Sequence, residues 1–197
     1  QSRSSAASDV YKRQEKYNIN SVLKILKPNC KIIELDHITE GAACTTLLAK
    51  KFINTSNPLI IANSDQYIKW DSIKSMYNYN QKKIDGSILT FEAIHPKWSY
   101  AKTDKNNFVT EVAEKKVISK NATVGVYYWK KGSDYVNCAE TMIKKNIRVN
   151  NEFYVCPVYN EAIGEGKKIV IDKVSEMHGL GTPDDLKNFI TKKNLTN

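Results

Sequence analysis

Four cysteines in 197 residues, none at short spacing from another, exclude a zinc ribbon or finger. A chain of this length also needs no disulfide staples to hold a core. Cys30, Cys44, Cys138 and Cys156 read as free thiols of a protein in a reducing cytoplasm. Cys138 and Cys156 fall in apolar surroundings, where the thiol packs as a small hydrophobe. The three histidines, His37, His95 and His178, are equally scattered, so no Cys/His nucleophile pair declares itself. Apolar runs stop well short of the roughly 20 residues that a membrane helix requires, so no membrane insertion is expected. Arginine is nearly missing: Arg3, Arg13 and Arg148 are the three among 30 basic residues. That scarcity argues against bidentate reading of bases. Lysines alternate with acids instead of gathering with aromatics, which describes a solvated surface and not a nucleic-acid partner.

What is present is 41% hydrophobic content and a formal charge of +9, the composition of one globular domain that admits anionic ligands. The chain does not begin with Met. Residues 1–14 are Ser-rich and basic without a secretory core, and read as a foreign leader outside the domain of residues 15–197. That leader contributes +2 and leaves +7 for the remainder.

Elements alternate along the domain. Residues 31–35 suggest a short strand, and 42–53 a helix with Leu47, Leu48 and Phe52 on one face. Residues 58–62 form an apolar strand, 70–81 carry helical spacing, and Asp85-Gly86 turns the chain into a strand at 87–93. Such a strand, helix, strand unit places neighbouring parallel strands across a right-handed crossover. A hairpin follows around Asp104-Lys105-Asn106-Asn107. Then come a strand at 123–129, helices at 134–145 and 153–163, and a strand at 168–171. A last helix begins at Thr182-Pro183-Asp184-Asp185, with Thr182 as N-cap and acids in the first turn.

The most informative segment is Asn57 to Asp71, where the run from Leu59 ends at Asn63-Ser64-Asp65. In open α/β sheets ligands bind beyond the carboxyl ends of strands, which makes Asp65 a candidate metal ligand. An Asx turn or helix cap accounts for a lone strand-end Asp equally simply.

Six motifs in order resemble the sugar-1-phosphate nucleotidyltransferases, in particular a branch associated with bacterial capsule and lipopolysaccharide synthesis. They are Thr39-Glu40-Gly41-Ala42-Ala43-Cys44-Thr45, Ala62-Asn63-Ser64-Asp65, Ser99-Tyr100-Ala101, Ala113-Glu114-Lys115, Val124-Gly125-Val126-Tyr127 and Gly179-Leu180-Gly181-Thr182-Pro183-Asp184-Asp185-Leu186. The resemblance implies a Rossmann-like three-layer α/β sandwich of the nucleotide-diphospho-sugar transferase type, with a mixed, mostly parallel sheet. It implies a reaction joining a nucleoside triphosphate to a sugar 1-phosphate with loss of pyrophosphate. It also implies Mg2+ at Asp65, Gly41 and Ala42 against the nucleobase, and Tyr100, Ala101 and Gly125 along the sugar. Glu114 would meet sugar hydroxyls and Lys115 the sugar phosphate. A homo-oligomer is compatible with the family.

The resemblance also carries departures. Ala101 replaces a usual glycine, and Gly179 stands where many members place a second metal-binding aspartate, leaving Asp172 or Glu176 to compensate. Of these, Asp172 is expected to face solvent. The family's opening strand and Gly-rich triphosphate loop do not occur before Gly41, so the resemblance implies an N-terminally truncated, inactive fragment. Two alternatives stay open: a glycosyltransferase of the same fold superfamily, with Asn63-Ser64-Asp65 as a degenerate Asp-x-Asp element, and a non-catalytic nucleotide-sugar binding domain.

Overall fold

The computed structural model of the chain describes residues 17–194; the expected leader, 1–14, lies outside the described residues. The organising element is β6 (Asn121–Trp129), a strand buried on both faces for eight of its nine residues. Near-continuous apolar sequence suits such a central strand, since neither face meets water. Strand β3 (Gly86–Glu92) pairs antiparallel along one side of β6, and β7 (Ile169–Lys173) runs parallel beyond β3. The other side of β6 is shared. Strand β1 (Leu59–Ala62) takes the end from Val126 to Trp129, while β4 (Ser99–Thr103) takes Ala122 and leads outward to β5 (Val109–Glu114).

Helices cover both faces, and the expected mixed α/β sandwich is what forms, but its sheet is not mostly parallel: β3–β7 is the one parallel pair among the described strands and the others are antiparallel. Tyr127 and Trp129 point toward α5 (Gly132–Lys144) and α6 (Val158–Gly164). The Trp129 and Tyr159 rings stack with centroids 4.3 Å apart. The Tyr159 hydroxyl donates to the carbonyls of Tyr128, at 2.8 Å, and Ser87, at 3.1 Å. On the opposite face, Tyr128 meets Tyr79 of α4 (Ser72–Gln81), and Val124 and Val126 meet a ribbon of β2 (Gln66–Lys69) and β8 (Glu176–Gly179). The last helix, α7 (Pro183–Asn194), starts as expected: the Asp185 amide donates to the Thr182 hydroxyl at 3.1 Å.

Several expectations are corrected. Strands β1 and β3 run in the same direction but are not neighbours, because β6 lies antiparallel between them. Residues 31–35 form no ladder, since a strand exists only where a neighbour accepts its backbone bonds. The helix expected over 42–53 divides into α2 (Ala42–Leu47) and α3 (Lys50–Ile53). Thr45 and Thr46 return their hydroxyls to the carbonyls of Gly41 and Ala42, a back-bonding that bends helices. In the 153–163 segment the helix begins only after Pro157, whose ring disfavours helical conformation at the residue before it. The sequence reading has no counterpart for α1 (Ile19–Leu26), a helix with no buried residue and with Ile25 79% and Leu26 75% exposed.

Candidate functional site

Because β1 and β4 divide one side of β6, the sheet forks there, and a cleft of about 220 Å3 opens at the fork. Its floor is Thr123, Val124 and Gly125; its walls include Asn63, Gln66, Trp98, Ser99, Glu114 and Tyr154. Gly125 makes the fork. Its φ of +73° lies in the left-handed region, and a Cβ there would fall 2.3 Å from the Asn63 side-chain nitrogen. Only glycine satisfies both conditions. The Asn63 amide in turn donates to the Gly125 carbonyl at 2.9 Å, stitching the end of β1 to the fork.

Glu114 ends β5 and faces the cleft, where it accepts a hydrogen bond from the Ser99 hydroxyl. Burial raises its pKa above the ordinary carboxyl value, with Ser99 and the charge of Lys115 pulling the other way. Lys115 is not itself among the lining residues, which include Lys97; its ammonium reaches the cleft wall through Tyr154. Its backbone adopts φ +53°, and its amide donates to the Trp98 carbonyl at 3.1 Å. Left-handed backbone at a lysine costs on the order of 1–2 kcal/mol, and surrounding contacts must impose it. The ammonium donates to the Tyr154 hydroxyl at 2.7 Å and lies 4.8 Å from that ring's centroid. The hydroxyl bond is the main reason its pKa is raised.

Tyr154 reaches the cleft through Gly41. The Gly41 backbone has φ +134°, and a Cβ would sit 2.5 Å from the nitrogen and oxygen of Phe153. Phe153 donates to the Glu40 carbonyl and accepts from the Ala43 amide, both at 2.9 Å. Arg148 clasps the same junction, bonding Glu40 at 2.5 Å and lying 3.9 Å over the Phe153 ring. Gly41 thus fastens the segment that carries Tyr154, Val155 and Cys156 into the cleft wall. Ala42 is exposed on the first turn of α2.

Tyr100 and Ala101, by contrast, are fully buried. The Tyr100 hydroxyl donates to the His95 carbonyl at 2.7 Å, and neither residue lines the cleft. Asp65 is exposed just beyond β1; its carbonyl accepts from the Leu180 amide at 2.7 Å, and its carboxylate lies over Gly181. The flanking residues Asn63 and Gln66 line the cleft, while Asp65 sits beside it.

Among the described residues no three Asp, Glu, His or Cys side chains converge on a metal position. One exposed carboxylate fits magnesium only as an ion that arrives with substrate phosphates and keeps most of its ligands as oxygens of phosphate and water. Asp172 does not face solvent as expected. Its carboxylate accepts from Tyr79 at 2.7 Å, from Trp70 at 3.0 Å and from Ser75. Glu176 is held by His178 at 2.9 Å and Lys193 at 3.3 Å. Neither is turned toward Asp65 as a second ligand. A larger cavity of about 730 Å3 opens between α4, β7 and the β4–β5 turn, and of the sequence-derived candidates Asp172 alone lines it.

No protein-family profile and no curated protein matches the chain. Solved structures do. A nucleoside-diphosphate-sugar pyrophosphorylase of Vibrio cholerae RC9 superposes with a TM-score of 0.71 at 23% identity, over 89% of this chain and 76% of that one. A protein of Bacillus anthracis described as a glucose-1-phosphate thymidylyltransferase, solved with a sucrose, gives 0.59 at 17% identity, over 75% of this chain and 58% of that one. The likeness is one of fold. The chain has the Rossmann-like α/β fold of these two proteins.

The site residues that sequence reading passes over are Asn63, Gln66, Trp98, Ser99 and Tyr154. Asn63 enters the sequence reading only as a neighbour of Asp65, and Gln66 follows that candidate ligand with no local signal of its own. Tyr154 falls in the segment expected to be helical. Burial of Gln66 depends on the β2–β8 ribbon, whose partner strand lies over a hundred residues away in sequence.

Proposed function

We propose that the cleft at the β6 fork binds a phosphorylated sugar and that the fold serves sugar-phosphate nucleotidyl transfer. The observation that carries this reading is the Glu114–Lys115 pair: a carboxyl inside a small cleft and, one residue on, an ammonium bonded to Tyr154 of the cleft wall. Neutral hydroxyls suit the inner wall of Glu114, Ser99 and Trp98. A phosphate suits the Tyr154 side, where the Lys115 ammonium bonded to that hydroxyl supplies charge at little desolvation cost.

In the reaction, an oxygen of the sugar phosphate attacks the α-phosphorus of a nucleoside triphosphate in line, the bond to the β-phosphate oxygen breaks, and pyrophosphate leaves with that electron pair. The protein's main task is to hold two anions together. A phosphate dianion about 4 Å from one further phosphate charge is opposed by about 8 kcal/mol at an effective dielectric of 20. Lys115 neutralises the acceptor side. Asp65 would hold Mg2+, which supplies charge neutralisation at the nucleotide phosphates when bound. The substrates belong to cytoplasmic supply of activated sugars for surface polysaccharides such as capsule or lipopolysaccharide.

No Gly-rich triphosphate loop occurs among residues 17–40, so the test reads binding. Isothermal titration of the chain with glucose 1-phosphate and with a nucleoside triphosphate plus Mg2+ should show Lys115→Ala weakening the sugar phosphate about tenfold. Nucleotide affinity should hold within about twofold. Equal weakening of both ligands would refute the assignment.

A further inference from the structure

The Gln66 side-chain nitrogen is buried and has no hydrogen-bond partner among the described residues, although Gln66 lines the cleft. Folded proteins rarely leave a buried amide unsatisfied, and such a group in a cleft points to a partner that arrives with the ligand. Of the other polar groups nearby, the Ser99 hydroxyl is bonded to Glu114 and the Lys115 ammonium to Tyr154. Across the ribbon, Gly179 pairs with Gln66 and presents no side chain, and the space at its Cβ position is open. The amide is therefore neither capped from the paired strand nor used by the cleft's own residues.

We propose that the Gln66 amide is a recognition group of this cleft, donating an N–H to an oxygen of the bound phosphorylated sugar. The inference rests on the sugar-phosphate reading above. The acceptor is a phosphate oxygen or a sugar hydroxyl, both of which offer the lone pair that the amide lacks.

Gln66→Leu removes the donor with an apolar side chain one bond shorter. Its melting temperature should equal or exceed that of the unaltered chain, because an unsatisfied buried group is lost. Its affinity for glucose 1-phosphate should fall about five- to tenfold. A matching fall for inorganic phosphate assigns the bond to a phosphate oxygen; a fall confined to glucose 1-phosphate assigns it to a hydroxyl. Gln66→Glu, which presents only acceptors when ionised, should weaken binding at least as much, and it serves as the second variant if the leucine form does not fold. Unchanged affinity in both variants would overturn the proposal. So would a melting temperature lowered by several degrees with affinity retained, the mark of an amide satisfied within the fold. Failure of the unaltered chain to bind either probe would overturn the sugar-phosphate reading itself.

Discussion

At the scale of single residues, Gly125 and Glu114 carry the most testable chemistry. Gly125→Ala faces two costs: left-handed backbone, and overlap with Asn63 at 2.3 Å. It should destabilise the chain by about 2–4 kcal/mol in urea unfolding. In an Asn63→Ala background the overlap vanishes and the cost should fall to about 1–2 kcal/mol; equal costs in the two backgrounds would show that Asn63 does not fill that space. Glu114 gives a pH signature. Its pKa is raised in the folded state from 4.5, so between that value and the folded one the native state binds more protons than the unfolded chain. Stability should then fall as pH rises through that window. Glu114→Gln should remove that slope, read from melting temperatures between about pH 4 and 7. Thiol reactivity follows burial in the same way: Cys138, pushed up to about 12 by burial, and the fully buried Cys156 should resist a thiol reagent that labels half-buried Cys30.

At the scale of elements, legibility follows the range of the interaction that fixes each one. The β4–β5 hairpin is readable because Asp104 bonds the amides of Asn106 and Phe108 within its own turn, at 2.8 and 2.9 Å. The α7 start is readable because Thr182 and Asp185 cap it locally. By contrast, β2 and β8 are four-residue strands whose pairing spans most of the chain, and no local pattern announces them. Strand β6 is readable as an apolar run, yet its place between β1 and β3 is decided by hydrogen bonding that periodicity does not encode. Its packing makes it the element most sensitive to mutation. Trp129→Ala should cost about 3–5 kcal/mol, and Tyr159→Phe, which leaves the Tyr128 and Ser87 carbonyls without their donor, about 1–3 kcal/mol. Loss of less than about 1 kcal/mol in both would contradict a core centred on that stack.

At the scale of the whole molecule, no helix of the described residues is long and apolar enough to cross a membrane. The excess positive charge is spread over a lysine-rich surface, so long-range attraction of phosphorylated ligands should weaken steeply with salt. The candidate site was only partly legible. Glu114 and Gly125 do meet in one cleft, because Gly125 lies at the fork of β6 and Glu114, at the end of β5, pairs with Ser99 at the start of β4; Lys115 adjoins it through Tyr154. Tyr100 and Ala101 are drawn into the core, and Gly41 serves a close chain approach to Phe153. A motif fixes residue types in order, while burial and backbone approach depend on contacts distant in sequence. The most direct test of the central claim is an amide-resolved NMR titration of the 15N-labelled chain with glucose 1-phosphate. The expected result is saturable shifts at Gly125, Glu114, Lys115 and Tyr154. Shifts gathered instead around Asn78, Phe108 and Asp172 of the larger cavity, or no saturable shift at all, would contradict it.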